Sequence, residues 1–212
     1  MKKLLVTVTA ALVCVGAFAQ GKVQFANDSL HLVYYSTAGN LRAGDAYLAG
    51  SGPTASNMPN GMTLVADLYA GTTPSNLILV ATTTFSGVST GRFNNANITL
   101  PSPIAGGQTD WFQVQIRDNS YSNAAASEAG GSYFAFGDVF STVPNTGVAF
   151  NSIVNHGNPS FSSWANGSYD MTAQTGLNGA RGTLSVGVVP EPTSFALAGL
   201  GAAALLIFRR RK

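Results

Sequence analysis

Two stretches of the chain alternate apolar and polar residues with a period of two, and that period constrains the fold more than any other feature. In TLVADLYAG, Leu64, Ala66 and Leu68 fall on one face and Val65, Asp67 and Tyr69 on the other. In WFQVQIRD, Phe112, Val114 and Ile116 stand opposite Trp111, Gln113, Gln115 and Arg117. Such alternation marks strands with one face turned to a core. ANITLP repeats the pattern with Ala96, Ile98 and Leu100 on one side. LILVATTTF, from Leu77, is a more continuous apolar run and reads as a central strand, hairpin partner of LVADLYAG. KVQFA from Lys22, LHLVYYS from Leu30, SYFAF from Ser132 and TLSVGVV from Thr183 complete the set. Turn clusters such as GSGPTASNMPNG and GTTPSN separate them. Only SNAAASEAGG predicts a helix, a short one with Gly130 as its stop. The expected fold is all-β, an antiparallel, jelly-roll-like β-sandwich. The polar stretch from Ala38 to Asn60 is expected to be a loop, and loops of that size are functional or mobile.

The two ends do not follow this pattern. Residues 1–19 carry Lys2 and Lys3, then an apolar run from Leu4 to Phe18, then Ala17-Phe18-Ala19 before Gln20. This is the three-part grammar of a secretory signal peptide, with cleavage expected between Ala19 and Gln20 and Ala17 and Ala19 as the small residues of the site. The single cysteine, Cys14, lies inside this segment behind Val13 and Ala11, which is not the setting of a lipidated cysteine. The exported chain therefore has no disulfide, and burial and hydrogen bonding must stabilise it.

At the other end, residues 195–208 hold only Ala, Gly, Leu, Ile and Phe, and Arg209, Arg210, Arg211 and Lys212 close the chain. As a helix those fourteen apolar residues would reach about 21 Å, short against a hydrocarbon core of roughly 30 Å. The run is apolar on every face, follows a prolyl break and ends in cations whose long side chains can snorkel to the headgroups. It is therefore expected to be one short transmembrane helix, with the cations as a cytoplasmic stop and the preceding chain outside.

Val189-Pro190-Glu191-Pro192, the Gly/Ala/Leu-rich helix and the terminal Arg cluster together resemble the PEP-CTERM sorting signal of Gram-negative bacteria. The resemblance implies recognition by exosortase, a membrane-embedded, cysteine transpeptidase-like enzyme that cuts near the motif. It also implies delivery through the secretion machinery, transient anchoring in the inner membrane, and release to the cell surface or an exopolysaccharide matrix. Proline on both sides of Glu191 disfavours helix and holds the motif extended. The expected organisation is a signal peptide at 1–19, a β-sandwich ectodomain at 20–187 and a sorting signal at 188–212. The body also resembles the β-rich ectodomains found ahead of such tails, with DLYAG and FQVQIRD in familiar positions, and that likeness brings no assigned activity.

Between the ends, the five cations are Lys22, Arg42, Arg92, Arg117 and Arg181. Eight carboxylates, Asp28, Asp45, Asp67, Asp110, Asp118, Glu128, Asp138 and Asp170, leave that region at minus three, so no electrostatic case for nucleic acid remains. Gly87-Val88-Ser89-Thr90-Gly91 matches the GxSxG of a nucleophile elbow, but a Thr-rich strand precedes it and RFNNANITLP follows, where a hydrolase needs a helix. A hairpin turn is expected instead. His31, in an apparent strand, and His156, in a loop, are the only histidines, and without cysteine they make no zinc site. Asp110 and Asp118 bracket one strand about 26 Å apart, too far for a glycosidase pair. Neither catalytic nor metal-ligating residues are assigned, and the chain is not expected to be an enzyme.

Calcium is a softer candidate. DNSYSNAAASEA begins like an EF-hand loop at Asp118, Ser120 and Ser122, yet Asn123 replaces the glycine and Glu128 falls one place early. Sugars stack on exposed aromatic rings beside amides, and Trp111, Trp164 and Tyr169 are the candidate carbohydrate-binding residues, although aromatics in a cysteine-free sandwich mostly serve its core. Two functional readings result. One is a structural or adhesive, non-catalytic surface or matrix protein; the alternative is a lectin-like module that holds secreted exopolysaccharide.

Overall fold

The computed structural model describes residues 20–27, 32–36, 38–137, 139–153 and 184–188. The signal segment, His31, His156, Trp164, Tyr169 and everything after Val188, including the expected transmembrane helix, lie outside the described residues. Among those described, no helix is long and apolar enough to cross a membrane.

The protein is all-β, mostly in antiparallel sheets. The largest sheet is built on β6 (Asp110–Asp118), which pairs antiparallel with β3 (Leu64–Gly71) from Trp111 to Asp118. On its other edge β6 receives two short strands end to end, β7 (Phe134–Phe136) beside Gln115–Arg117 and β8 (Phe140–Thr142) beside Asp110–Phe112. Outside β3 lies β4 (Ile78–Thr84), joined to it as a hairpin. A second sheet runs β5 (Ala96–Thr99), β1 (Lys22–Phe25), β9 (Asn151–Ser152), and a third pairs β2 (Val33–Tyr35) with β10 (Leu184–Val186).

The period-two reading places the core correctly. Leu64, Ala66, Leu68 and Ala70 of β3 and Phe112, Val114 and Ile116 of β6 join Val23 and Phe25 of β1 and Val33 and Tyr35 of β2 in one apolar cluster. Aromatic pairs tie it together: Phe25 and Phe93 have ring centroids 4.7 Å apart, Phe112 stacks on Phe140 at 5.9 Å, and Tyr35 meets Tyr133 edge-on at 6.3 Å. Each such pair contributes about 0.5–1.5 kcal/mol beyond its burial. The helix α1 (Ala124–Ala129) forms where alanines favour it, with Asn123 Oδ1 accepting from the Ala126 N–H at 2.8 Å and Gly130 at its C-terminal end.

Three expectations are corrected. LILVATTTF forms an edge strand instead of a central one, and Ile78 and Leu79 stay 46% and 44% exposed. Its β-branched residues and threonines specify extended backbone, which an edge satisfies as well as a centre. A register shift opposite Leu68 and Tyr69 bulges this edge, a device that discourages pairing with other chains. The sheets are not purely antiparallel either: β9 lies parallel to β1 and β10 parallel to β2. Both strands return from distant sequence, which gives them the long connections that parallel pairing requires.

The third correction concerns the stretch from 38 to 60, which is pinned instead of loose. Two 3₁₀ helices, Ala38–Asn40 and Ala43–Leu48, flank buried Leu41, and the second buries Asp45 and Leu48. The Tyr133 hydroxyl donates to Asp45 Oδ2 at 2.7 Å, and the Tyr35 hydroxyl donates to the Asn57 carbonyl at 2.9 Å.

Candidate functional site

The sorting residues continue directly from the fold. β10 lies beside β2 with Val186 opposite Tyr35, and the next residue, Gly187, exchanges backbone hydrogen bonds with Phe134 of β7 at 3.0 and 3.3 Å. β10 and Gly187 thus join β2 to the edge of the largest sheet. Val188 then donates its N–H to the Asn40 carbonyl at 2.8 Å and rests half-buried against the core. Gly187 is needed at this crossing, because a Cβ there would meet Asn40 O at 2.9 Å and Ser36 Cβ at 3.3 Å. Val189, Pro190, Glu191 and Pro192 follow without a spacer and, like Arg209, Arg210, Arg211 and Lys212, fall outside the described residues. At the other end, Ala17 and Ala19 are likewise outside, while Gln20 is exposed and bridges Ala105.

Of the proposed sugar-binding aromatics, only Trp111 is described. It is half-buried on the outer face of β6, opposite Gly71 of β3 and Ser141 of β8. Tyr69, Phe134 and Phe136 also stand half-buried on that face, and its amides bond to one another and to backbone: Gln115 Nε2 donates to Gln113 Oε1, and Gln113 Nε2 to the Gly137 carbonyl, both at 2.8 Å. A buried ion pair lies on the same face. Arg117 Nε sits 2.6 Å from Asp67 Oδ2, Thr82 Oγ1 donates to Asp67 Oδ1 at 2.6 Å, and Arg117 Nη1 donates to the Tyr121 carbonyl at 2.6 Å. Burial raises the Tyr69 phenol, with Asp67 adding to the rise and Arg117 opposing it.

The GxSxG segment closes a hairpin. Phe85 and Phe93 form an antiparallel bridge, Ser86 N–H donates to Arg92 O at 2.7 Å, and Ser86 Oγ accepts from the N–H groups of Val88 and Ser89. Gly91, at φ +72°, sits where a Cβ would meet Val33 O at 2.5 Å, and the chain runs on into β5 with no helix after Ser89. Asp110 and Asp118 occupy the two ends of β6, as expected. Burial pushes the Asp110 carboxyl up to about 6, and its Oδ2 has no hydrogen-bond partner among the described residues. Burial also pushes Asp118 up, but bonds from the Ser120 N–H and the Ser132 and Ser120 side chains, with nearby Arg42, outweigh it and hold that carboxyl below its usual range. Both Asp118 oxygens are thereby engaged, Oδ1 by Ser120 N–H at 2.9 Å and Oδ2 by Ser132 Oγ at 2.7 Å. Among the described residues no three His, Cys, Asp or Glu side chains come together as a metal site.

Comparison with protein families matches residues 188–212 to the PEP-CTERM protein-sorting motif. The chain carries a PEP-CTERM sorting signal. The PEP-CTERM match begins at Val188, two residues after β10 ends. Such a motif implies handling by exosortase-type sorting machinery and export to a surface or extracellular destination. No curated protein and no solved structure matches the chain.

Sequence reasoning missed Asn40 and Gly187, which anchor the start of the PEP-CTERM segment, and the Asp67–Arg117 pair. The pair had one legible signal, opposite charges on the same outward face of two adjacent alternating strands. The Asn40 contact is made through a backbone carbonyl, which no side-chain pattern encodes.

Proposed function

We propose that this chain is an exported surface or extracellular-matrix protein whose residues 20–187 form a structural or adhesive, non-catalytic β-sandwich, processed by exosortase at the Pro190–Glu191–Pro192 motif. The observation that carries this reading is the sorting motif starting at Val188, where the strand β10 has just been fastened between two sheets. A bulged edge strand, a pinned 38–60 segment and a core without cysteine suit a domain that must persist outside the cell on packing alone. The hairpin geometry around Ser89 and the separation of Asp110 from Asp118 support the non-catalytic part. Replacing Pro190, Glu191 and Pro192 by alanine in the producing cell is expected to leave the uncut chain in the inner membrane, read by intact mass and fractionation. Normal processing of that variant would overturn the sorting assignment.

A second reading, carbohydrate binding, is favoured by one observation. Trp111 is partly exposed on an outer sheet face that also carries Tyr69 and two glutamine side chains.

A further inference from the structure

A polar concavity lies apart from the Trp111 face. A cleft of about 450 Å³ lies where β1, β9 and the Phe85–Phe93 hairpin meet, within the size range of small-ligand pockets. Gln24, Asn94 and Asn95 contribute amides, Ser86 and Ser89 hydroxyls, and Arg92 a guanidinium. No carboxylate lines it among the described residues. The walls are fixed: Asn27, buried, donates from Nδ2 to Gly91 O at 2.8 Å and accepts from Phe93 N–H at 3.0 Å, and Asn94 N–H donates to Thr84 O at 2.8 Å. Among the described residues, the side chains of Gln24, Ser89, Arg92 and Asn95 have no hydrogen-bond or ion-pair partner.

Polar side chains gathered on a concave wall whose backbone is held by hydrogen bonds offer donors and acceptors to a ligand. Amides and hydroxyls that donate and accept at once complement a polyhydroxylated ligand better than a bare inorganic anion, which only accepts. Among the described lining residues the one charge is the Arg92 guanidinium, whose planar fork matches a carboxylate. We infer that this cleft binds an acidic saccharide, with its carboxylate on Arg92 and its hydroxyls on Gln24, Ser89 and Asn95. The inference deepens the carbohydrate reading of the ectodomain and rests on it, while moving the site from Trp111 to Arg92.

The full chain in detergent would be titrated by calorimetry with an oligogalacturonate and with a neutral cello-oligosaccharide of equal length, as wild type, R92Q, R92K and W111A. The acidic oligomer is expected to bind at least tenfold more tightly than the neutral one, to weaken with added salt, and to lose about tenfold or more in R92Q with partial recovery in R92K. R92Q and R92K should keep the wild-type melting temperature. Equal binding of both oligomers, or an R92Q that binds as wild type, would overturn the cleft. If W111A alone abolishes binding, the cleft falls and the carbohydrate reading survives; if neither oligomer binds the folded chain, both fall.

Discussion

Val188 donates its backbone N–H to the carbonyl of Asn40 at 2.8 Å, so the first residue of the sorting segment is stitched to the folded domain. The sorting segment therefore begins directly at a docked strand. Gly187→Val would drive a Cβ into Asn40 O and Ser36, at a cost of about 1–3 kcal/mol as overpacking usually does. The expected outcome is a lower melting temperature and faster limited proteolysis between β10 and Pro190. A variant with the wild-type cleavage pattern and stability would show that the strand end is not held there.

Asp67 and Arg117 are both buried on the outer sheet face, and the pair is bonded further by Thr82 and the Tyr121 carbonyl. Removing one member strands a charge in a site with little water, which typically costs 3–5 kcal/mol. Asp67→Asn and Arg117→Met should each lower the unfolding free energy from urea titration by an amount of that order. The double variant is expected to recover part of the loss, because no lone charge remains.

Strand identity was legible wherever one face of a strand is buried, because burial imposes the period of two. β3 and β6 were readable to within a residue at their ends, and their core-facing residues were named correctly. Sheet position was not, because β4 draws its extended backbone from β-branched residues that serve an edge and a centre alike. The 38–60 stretch misled because polar residues that look solvent-exposed, Asp45 above all, are satisfied by partners about ninety residues away. The tail was legible because a sorting signal is a linear code read in sequence order. The Arg92 cleft was not, since Gln24, Arg92 and Asn94 meet only when β1 lies beside β5.

Tyr133 tests how firmly the 38–60 stretch is fastened. Its hydroxyl donates to buried Asp45 Oδ2 and accepts from the Arg42 N–H at 3.2 Å, while the Arg42 guanidinium lies 5.8 Å over the ring. Tyr133→Phe keeps the ring and removes only the hydroxyl, leaving a buried carboxylate oxygen short of a donor, at about 1–3 kcal/mol. Amide exchange should accelerate in residues 42–60 well before it does in β3 or β6. Uniform acceleration across the sheet would mean that the loop and the core open as one unit.

Asp110 gives the protein a pH dependence of unusual sign for a carboxylate. Its side chain is 2% exposed, Oδ2 has no partner among the described residues, and burial raises its pKa to about 6, against 3.8 in the unfolded chain. Between those two values the folded state holds a proton that the unfolded state has released, so stability falls as pH rises from about 4 to about 6 and levels off above. Asp118 has the opposite shift, and its contribution is lost only as pH falls below the ordinary carboxylate range. The two windows are therefore separable. Asp110→Asn should abolish the decline between pH 4 and 6 and raise stability at pH 7.5 by about 1–3 kcal/mol, the usual penalty of a buried polar group left unpaired. Urea unfolding of both proteins across that range is the measurement. A wild type whose stability rises from pH 4 to 6 as steeply as the variant's would mean that Asp110 is hydrated in solution.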